Sequence, residues 1–268
     1  MDDLILYLRP LIISLTRYFV IAGSFFLVFY ILFPTSFLKS KIQHSWASKK
    51  DFIREIVHSS QTTLILAAVG LIILRSPLRS YTVVYDNWDV YPVWYAPLSI
   101  LFALVIHDTY FYWMHRIVHH PRIFKTVHLL HHKSINPSPW ASYSFHFTEG
   151  ILEALIAPIL LFLLPMHPMS FLAFTTLAFL INVYGHLGFE VMPMWLRKTW
   201  LFELINTSVH HNLHHQKFNG NYGLYFRLWD RLMGTEFKDY TKEFDKIHNR
   251  RKGKTKRQMA SKAISRIQ

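Results

Sequence analysis

Cysteine is absent from this sequence of 268 residues, and charged residues are scarce. Without thiols the chain can form no disulfide, no thiolate–metal bond and no iron–sulfur cluster, so a bound metal must be held by nitrogen and oxygen. Hydrophobic residues make up 51% of the chain and charged residues only 17%, whereas soluble domains are about 25% charged. The composition therefore predicts a membrane protein built as one structural unit.

Acidic residues are fewer than basic ones, 16 Asp and Glu against 29 Lys and Arg, which gives a net charge of +13. Much of the excess lies from Lys238 onward, where there are 11 Lys and Arg but only 3 Asp and Glu. A basic tail beside membrane spans is typical of the cytoplasmic side and of contact with anionic lipid. No nucleic-acid-binding motif or soluble basic domain accompanies it, so we expect no nucleic-acid partner.

Long apolar runs separated by polar loops predict an all-α, integral-membrane helical bundle with about four to five membrane segments. Pro165 and Pro168 separate the last two runs, which predicts a helical hairpin. No Pro or Gly interrupts residues 98–120, so the third segment should continue into the first histidine cluster and end at Pro121. The apolar runs are residues 18–33, 56–74, 93–106, 151–164 and 169–184.

An odd number of segments places the amino terminus outside the cell and the carboxyl terminus in the cytoplasm. This order brings the Lys-rich loop after the first segment, the basic tail and every histidine cluster to one side of the membrane. The charge distribution and the histidine positions lead to this side independently. We therefore predict a histidine-rich, metal-binding cap on the cytoplasmic face.

Twelve of the 17 histidines lie in four clusters. Imidazole is the side chain best suited to binding iron, zinc or copper at neutral pH. Two clusters contain the pattern H-x-x-H-H, which is hard to explain without metal when it occurs twice in a membrane protein. The clusters span His107–His120, His128–His132, Gly185–Glu190 and His210–His215.

The first cluster places ligands on one helical face. His115 and His119 are four residues apart, so they share a face and can bind one metal from one side. Asp108 falls on nearly the same stripe, at about 100° per residue, and is a candidate catalytic residue that could orient an imidazole through its second nitrogen. His107 and His120 lie off this stripe and rank lower as ligands.

The triplets can serve two metals. His128 and His131 should share a face, while His132 points about 100° away from His131. The second triplet, His211, His214 and His215, repeats the pattern. His186 stands alone, with Asn182 and the second candidate catalytic residue, Glu190, at i−4 and i+4.

Nine histidines form the candidate ligand set: His115, His119, His128, His131, His132, His186, His211, His214 and His215. One metal takes about three to six ligands, so nine imply two metals. For His146 and Glu149, a hydrogen-bonded helix start and a role lining the site fit the sequence equally. Whether His107, His146 or His210 also contributes stays open.

These motifs resemble those of the fatty acid hydroxylase superfamily of integral-membrane di-iron oxygenases, on the sterol desaturase side. The resemblance covers roughly residues 95–235. It rests on D-x-x-F-Y-W-x-H-R-x-x-H from Asp108, H-x-x-H-H-K from His128, G-H-x-G-F-E from Gly185 and H-H-x-x-H-H from His210. It implies that the nine histidines hold two iron ions, and that the enzyme uses O2 and two electrons to hydroxylate or desaturate a lipid drawn from the bilayer, such as a sterol-like, sphingoid or fatty acyl lipid.

The resemblance also implies a division of the chain. Residues 1–94 would form amino-terminal membrane segments, residues 95–237 the catalytic domain and residues 238–268 a basic cytoplasmic tail. The sequence departs from several relatives in having His146-Phe147 where they have His-Pro. It lacks the fused cytochrome b5 domain of some relatives, so we expect a separate electron donor resembling cytochrome b5 or ferredoxin.

Other functions remain compatible with the sequence. Within the same superfamily, the enzyme could be a carotenoid or alkyl-lipid hydroxylase. Outside enzymes, the chain could be a metal-binding membrane protein such as a transporter or sensor, although transport favours ionisable residues inside the spans. The short early spans favour a bacterial inner membrane over the endoplasmic reticulum.

Overall fold

The computed structural model describes residues 2–253, and within this range the backbone is helical. Extended pairing there is limited to isolated bridges, Lys41 with Phe189 and Ile205 with Phe226, so the predicted all-α class is confirmed. The α-helices are α1 Asp2–Phe26, α2 Pro34–Phe37, α3 Lys49–Arg75, α4 Tyr95–Val118, α5 Pro121–Val127, α6 Leu129–His132, α7 Phe147–Ala154, α8 Ile156–Leu163, α9 Pro168–Gly185, α10 Trp200–Leu204, α11 Ser208–Lys217, α12 Leu228–Leu232 and α13 Tyr240–Arg251. A π-helical stretch, Leu27–Leu32, extends α1, and 3-10 turns occupy Leu38–Ser40, Pro77–Tyr81, Trp88–Val90, Pro139–Tyr143 and Met194–Lys198.

Three of the described helical stretches are long and apolar enough to cross a membrane: Leu8–Leu32, Lys49–Arg75 and Pro168–Gly185. They correspond to the first, second and fifth predicted segments. The third segment forms α4, which is long enough to cross but carries polar residues such as His107 and Asp108 in its second half. The chain is an integral membrane protein, and the count of four to five segments stays a prediction.

The predicted hairpin is present, but its first arm is broken. Two eight-residue helices, α7 and α8, meet at Leu155, and α9 returns after the Pro165–Pro168 turn. Pro158 explains the break, because its ring would clash with the carbonyl of Ala154 in a continuous helix. The first arm therefore bends where a straight helix was expected.

Helix α4 runs without interruption into the first histidine cluster, as the sequence predicts. It ends at Val118, two residues before His120, and Pro121 opens the next helix at its first turn. The uninterrupted helix fixes His115 on a rigid element, and the tight connection to α5 brings His128 and α6 back beside it.

The amino-terminal helices pack directly against the histidine-bearing half. Glu55 of α3 accepts hydrogen bonds from Ser134 at 2.8 Å and from Ser138, and Ser59 donates to the Trp140 carbonyl at 2.7 Å. The proposed division at residue 94 stays a prediction, although these contacts show that both parts share one interior.

Helix α13 bonds to two distant parts of the chain, the turn at residues 39–41 and Met192. Arg250 donates to the carbonyls of Lys39, at 2.9 Å, and Lys41, and Arg251 donates to the carbonyl of Met192 at 3.2 Å. The predicted basic tail therefore begins as an ordered helix, while its residues 254–268 lie outside the described part of the chain.

Candidate metal centre

The structure brings the nine candidate histidines together in two groups. Within each group, one nitrogen of every ring lies within 4.8 Å of the corresponding nitrogens of the others. The first group is His115, His119, His128, His132 and His214, and the second group is His131, His186, His211 and His215. Eight of these side chains are buried, and His119 is partly exposed.

Each H-x-x-H-H triplet divides between the two groups, as predicted, but along a different line. His128 and His132 serve the first group and His131 the second, so the expected pairing of His128 with His131 is wrong. Histidines four positions apart, such as His128 and His132, join the same group here, whereas His128 and His131, three positions apart, do not. His211 and His215 follow the same rule. His214 is the member of the second triplet that joins the first group.

The backbone fixes the tautomers of several rings. His115 Nδ1 donates to the Tyr222 carbonyl at 2.8 Å, His186 Nδ1 to the Asn182 carbonyl at 2.9 Å and His214 Nδ1 to the Gly220 carbonyl at 2.7 Å. A carbonyl can only accept, so the proton of each neutral ring sits on Nδ1 and the lone pair on Nε2. In His214 this Nε2 is buried without a hydrogen-bond partner.

The Nε2 atoms within each group converge at distances that suit a shared cation. In the second group, His186 Nε2 lies 3.0 Å from His211 Nε2, 3.3 Å from His215 Nε2 and 3.4 Å from His131 Nε2. Two nitrogens bound to one ion at about 2.1 Å lie about 3.0 Å apart at a right angle and about 3.4 Å apart at the tetrahedral angle.

The first group has matching contacts. Nε2 of His115 lies 3.1 Å from that of His128, and Nε2 of His119 lies 3.1 Å from that of His132. His128 Nδ1 contacts the Glu149 carboxylate at 2.5 Å, so its Nε2 also carries a lone pair. Lone pairs that face one another repel unless a cation lies between them, so the donor set fits a metal in each group.

Burial keeps the rings of α11 in the ligand form. Removal from water lowers the pKa of His211 and His215 well below its ordinary value, and the neighbouring imidazoles add to the effect. Since a metal binds only the neutral ring, this environment favours coordination across the neutral pH range.

Asp108 and Glu190 occupy other positions than expected. Asp108 Oδ1 accepts from the backbone amides of Leu224, Tyr225 and Phe226, at 3.2, 2.7 and 3.2 Å, so the predicted orientation of an imidazole by this carboxylate is wrong. It instead anchors the segment whose carbonyls hold His115 and His214.

Glu190 does not share a helical face with His186, because α9 ends at Gly185. Its Oε2 accepts from the amide of Val209, at 3.2 Å, near the start of α11, and its Oε1 accepts from Tyr184 Oη at 2.8 Å. Glu190 thus positions the helix that carries the second triplet. A catalytic role for either carboxylate stays a prediction.

The three histidines whose contribution the sequence left open, His107, His146 and His210, lie outside both groups. Nδ1 of His146 accepts from the Thr148 amide at 3.3 Å, which is the helix-start role. The buried His210 lies 3.9 Å from Asp230 and is in neither group. His107 bonds Tyr225 Oη at 2.9 Å and lines a cavity in the helical bundle.

Sequence reasoning underrated Glu149. Its contact with His128 is fully buried and orients a ring of the first group, the usual task of a carboxylate behind a metal-binding histidine. The short motif that contains His146 and Glu149, three residues apart, was the available signal for a role at the site. Nothing in the spacing linked Glu149 to His128, which is 21 positions away.

Buried imidazoles in two convergent groups on a membrane bundle define a class of histidine-rich membrane metalloproteins. The chain belongs to the fatty acid hydroxylase family, whose model matches residues 100–235, and within it to the sterol desaturases.

Three relatives illustrate the similarity. A lathosterol oxidase of Mus musculus is 33% identical over 213 residues, which are 78% of this chain and 68% of the relative. A Delta(7)-sterol 5(6)-desaturase of Leptosphaeria maculans is 31% identical over 249 residues, 92% of this chain and 64% of the relative. Another Delta(7)-sterol 5(6)-desaturase, of Gibberella zeae, is 30% identical over 209 residues, 78% of this chain and 63% of the relative. The chain thus spans about two thirds of their length, and no solved structure matches it significantly.

Proposed function

We propose that this protein is an O2-dependent oxidoreductase that hydroxylates or desaturates a membrane lipid at a two-iron centre. The observation that carries the proposal is the convergence of nine imidazoles in two groups, several with lone pairs directed at one another. The names of the relatives support sterol-like lipids as substrates. Two iron ions would activate O2, the oxidant, for removal of hydrogen from an unactivated C–H bond.

The residues of the chain have defined tasks in this proposal. The first and second groups each hold one ion. Carbonyls of Tyr222, Asn182 and Gly220 fix three rings so that Nε2 stays directed inwards. Burial excludes water from the rings, and Glu149 keeps the proton of His128 on Nδ1.

The site would lie at the cytoplasmic face and take electrons from a separate acidic carrier, such as a cytochrome b5- or ferredoxin-like protein. The net charge of +13 supports this pairing. The preference for a bacterial inner membrane gains no support from the relatives, which come from a mammal and fungi, and it stays a prediction.

The decisive experiment removes one ligand from each group. Purified wild-type protein should retain two iron ions per chain and consume O2 only when lipid is supplied. His214→Ala should lose iron from the first group and His131→Ala from the second, and both should lose oxidation, because each group needs its full set of nitrogens.

His146→Ala is the matched control, because this imidazole caps a helix start outside both groups and should leave both ions bound. Full oxidation by either ligand variant would overturn the assignment. Two tightly held ions without lipid-dependent O2 uptake would instead favour a transporter or sensor.

A further inference from the structure

A cavity of about 470 Å³ lies within the membrane bundle, among α1, α3, α4, α7, α8 and α9. Its walls are mostly apolar, and its volume falls in the range of about 300–1,000 Å³ that is common for small-molecule sites. Its position between candidate membrane helices makes a lipid the natural occupant.

One end of the cavity lies a single layer of aromatic side chains from the imidazoles. Phe111 contacts the cavity residue His107 and the first-group residue His115, with ring centroids 6.5 and 4.9 Å away. Phe145 likewise joins the cavity residue Tyr143, at 6.4 Å, to His131 of the second group, at 4.8 Å. A molecule in the cavity is therefore close to both groups.

Glu153 and Tyr143 are polar members of this apolar lining, and their polar ends have no hydrogen-bond partner among the described residues. Glu153 is 8% exposed, and no hydrogen bond or ion pair joins its carboxyl group to another residue in the range 8–253, where side chains are described. The ring of Tyr143 stacks on Phe179 at 4.7 Å, while its hydroxyl makes no hydrogen bond within the same range. Burying an uncompensated carboxylate costs stability, so its presence points to a ligand.

The described cavity lining contains three arginines, Arg9, Arg17 and Arg75, and none of them forms a hydrogen bond or ion pair with Glu153. Arg17 donates to the hydroxyls of Thr175 and Thr176, at 2.8 and 3.2 Å. Arg75 is exposed at the end of α3, about three turns beyond the lining residue Thr63. The cavity lining therefore offers a carboxyl group and a hydroxyl group without partners, and a lipid alcohol can donate to the first and accept from the second.

We propose that the cavity binds a neutral lipid by its hydroxyl group, which donates to the Glu153 carboxylate and accepts from Tyr143 Oη. This inference rests on the proposed function and names the polar group by which its substrate is selected. Glu153 and Tyr143 act as specificity-determining residues, with Glu153 providing the larger share because its carboxyl group is buried, whereas Tyr143 is half-buried.

Binding of tritiated cholesterol to the purified full-length protein tests the proposal, with cholesteryl methyl ether and stearate as competitors. In wild-type protein, unlabelled cholesterol should compete at least about tenfold better than the ether, because the ether cannot donate to Glu153. Stearate should compete poorly, because its carboxylate has no hydrogen to donate to Glu153.

Glu153→Leu should weaken cholesterol binding by about tenfold and abolish the discrimination between alcohol and ether. Tyr143→Phe should weaken binding by a smaller factor, since it removes only the hydroxyl and keeps the stack on Phe179. Ser14→Ala is the matched control, because Ser14 is another polar lining residue on α1 and its loss should leave binding unchanged.

A thermal melt separates this role from a structural one. Glu153→Leu should melt no lower than wild type, because the variant removes a buried carboxylate that has no partner. A lower melting temperature together with unchanged preference for the alcohol would overturn the proposal. Equal binding of alcohol and ether by the wild type, or the absence of saturable binding, would overturn it too.

The same assay distinguishes failure of this proposal from failure of the proposed function. Selective alcohol binding by wild type and by His214→Ala, without lipid oxidation by the wild type, would contradict the oxygenase function and support the lipid site. Equal lipid oxidation by wild type, Glu153→Leu and Tyr143→Phe would contradict the lipid site and support the oxygenase function.

Discussion

At the scale of single residues, the direction of each lone pair matters more than the number of histidines. Glu149 shows why, because its carboxylate contacts His128 Nδ1 at 2.5 Å and thereby leaves Nε2 free for the first group. Carbonyl oxygens do the same for His115 and His214. The sequence could predict which rings take part, since residue type and clustering are visible in it, but not the partners that set their tautomers.

The Glu149→Gln substitution should weaken metal retention in the first group by about 10–100-fold, the usual effect of removing a carboxylate behind a metal-binding imidazole. Glutamine can still accept from Nδ1, but it no longer adds negative charge to the ring. Competition with a chelator, followed by metal analysis, measures the change. Glu203→Gln, at an exposed carboxylate that pairs with Arg231, is the control. Unchanged retention in Glu149→Gln would show that the contact is only structural.

At the scale of elements, the segment 220–226 connects two buried carboxylates to the first group. Asp108 holds three of its amides, and Asp230 accepts from the amides of Tyr222 and Gly223, both at 2.8 Å. A Cβ at Gly223 would lie 2.4 Å from the Phe226 carbonyl, so only glycine fits this turn. The sequence placed Asp108 on the correct helix. It could not show that Asp108 contacts Leu224, Tyr225 and Phe226, which lie more than 100 positions further along the chain.

Replacing Asp230 with Asn should lower the free energy of unfolding by about 1–3 kcal/mol, because the new amide nitrogen would face the buried Gly223 amide, donor against donor. Loss of this anchor should also displace the carbonyls that hold His115 and His214, so the first group should lose metal before the second. Melting temperature and metal content report the two effects. Asp239→Asn, at an exposed ion pair with Lys217, should change neither. Equal metal loss from both groups would contradict the predicted order.

At the scale of the whole molecule, the first group of histidines borders the protein surface. His119 is the partly exposed ligand, and it borders a surface concavity of about 300 Å³ lined also by Phe124, Lys125, Phe218 and Tyr222. Lys125 and the nearby Arg122 are exposed there. Hydropathy and charge could predict a membrane bundle with a basic cap. They could not predict this concavity, because it depends on how α4, α5 and the end of α11 pack together.

The double substitution Arg122→Glu and Lys125→Glu should slow reduction by an acidic protein donor by about tenfold at low salt, since steering by opposite charge acts mainly on the association rate. Reduction by dithionite, a small reductant, should be unchanged, and so should metal content. Stopped-flow absorbance measures both rates. Lys50→Glu changes an exposed charge at the start of α3 and serves as the control. Equal slowing by the control would assign the effect to net charge alone.

The two groups of inward-facing rings come from four separated stretches of chain, and their nitrogens repel one another until ions neutralise them. Ions that bind the assembled rings but not the unfolded polypeptide make folding and metal capture a single equilibrium. With iron as the proposed ion, more copies would open in an iron-starved cell and reach the proteases that remove unfolded chains. The abundance of this protein would therefore follow the iron supply without any dedicated sensor.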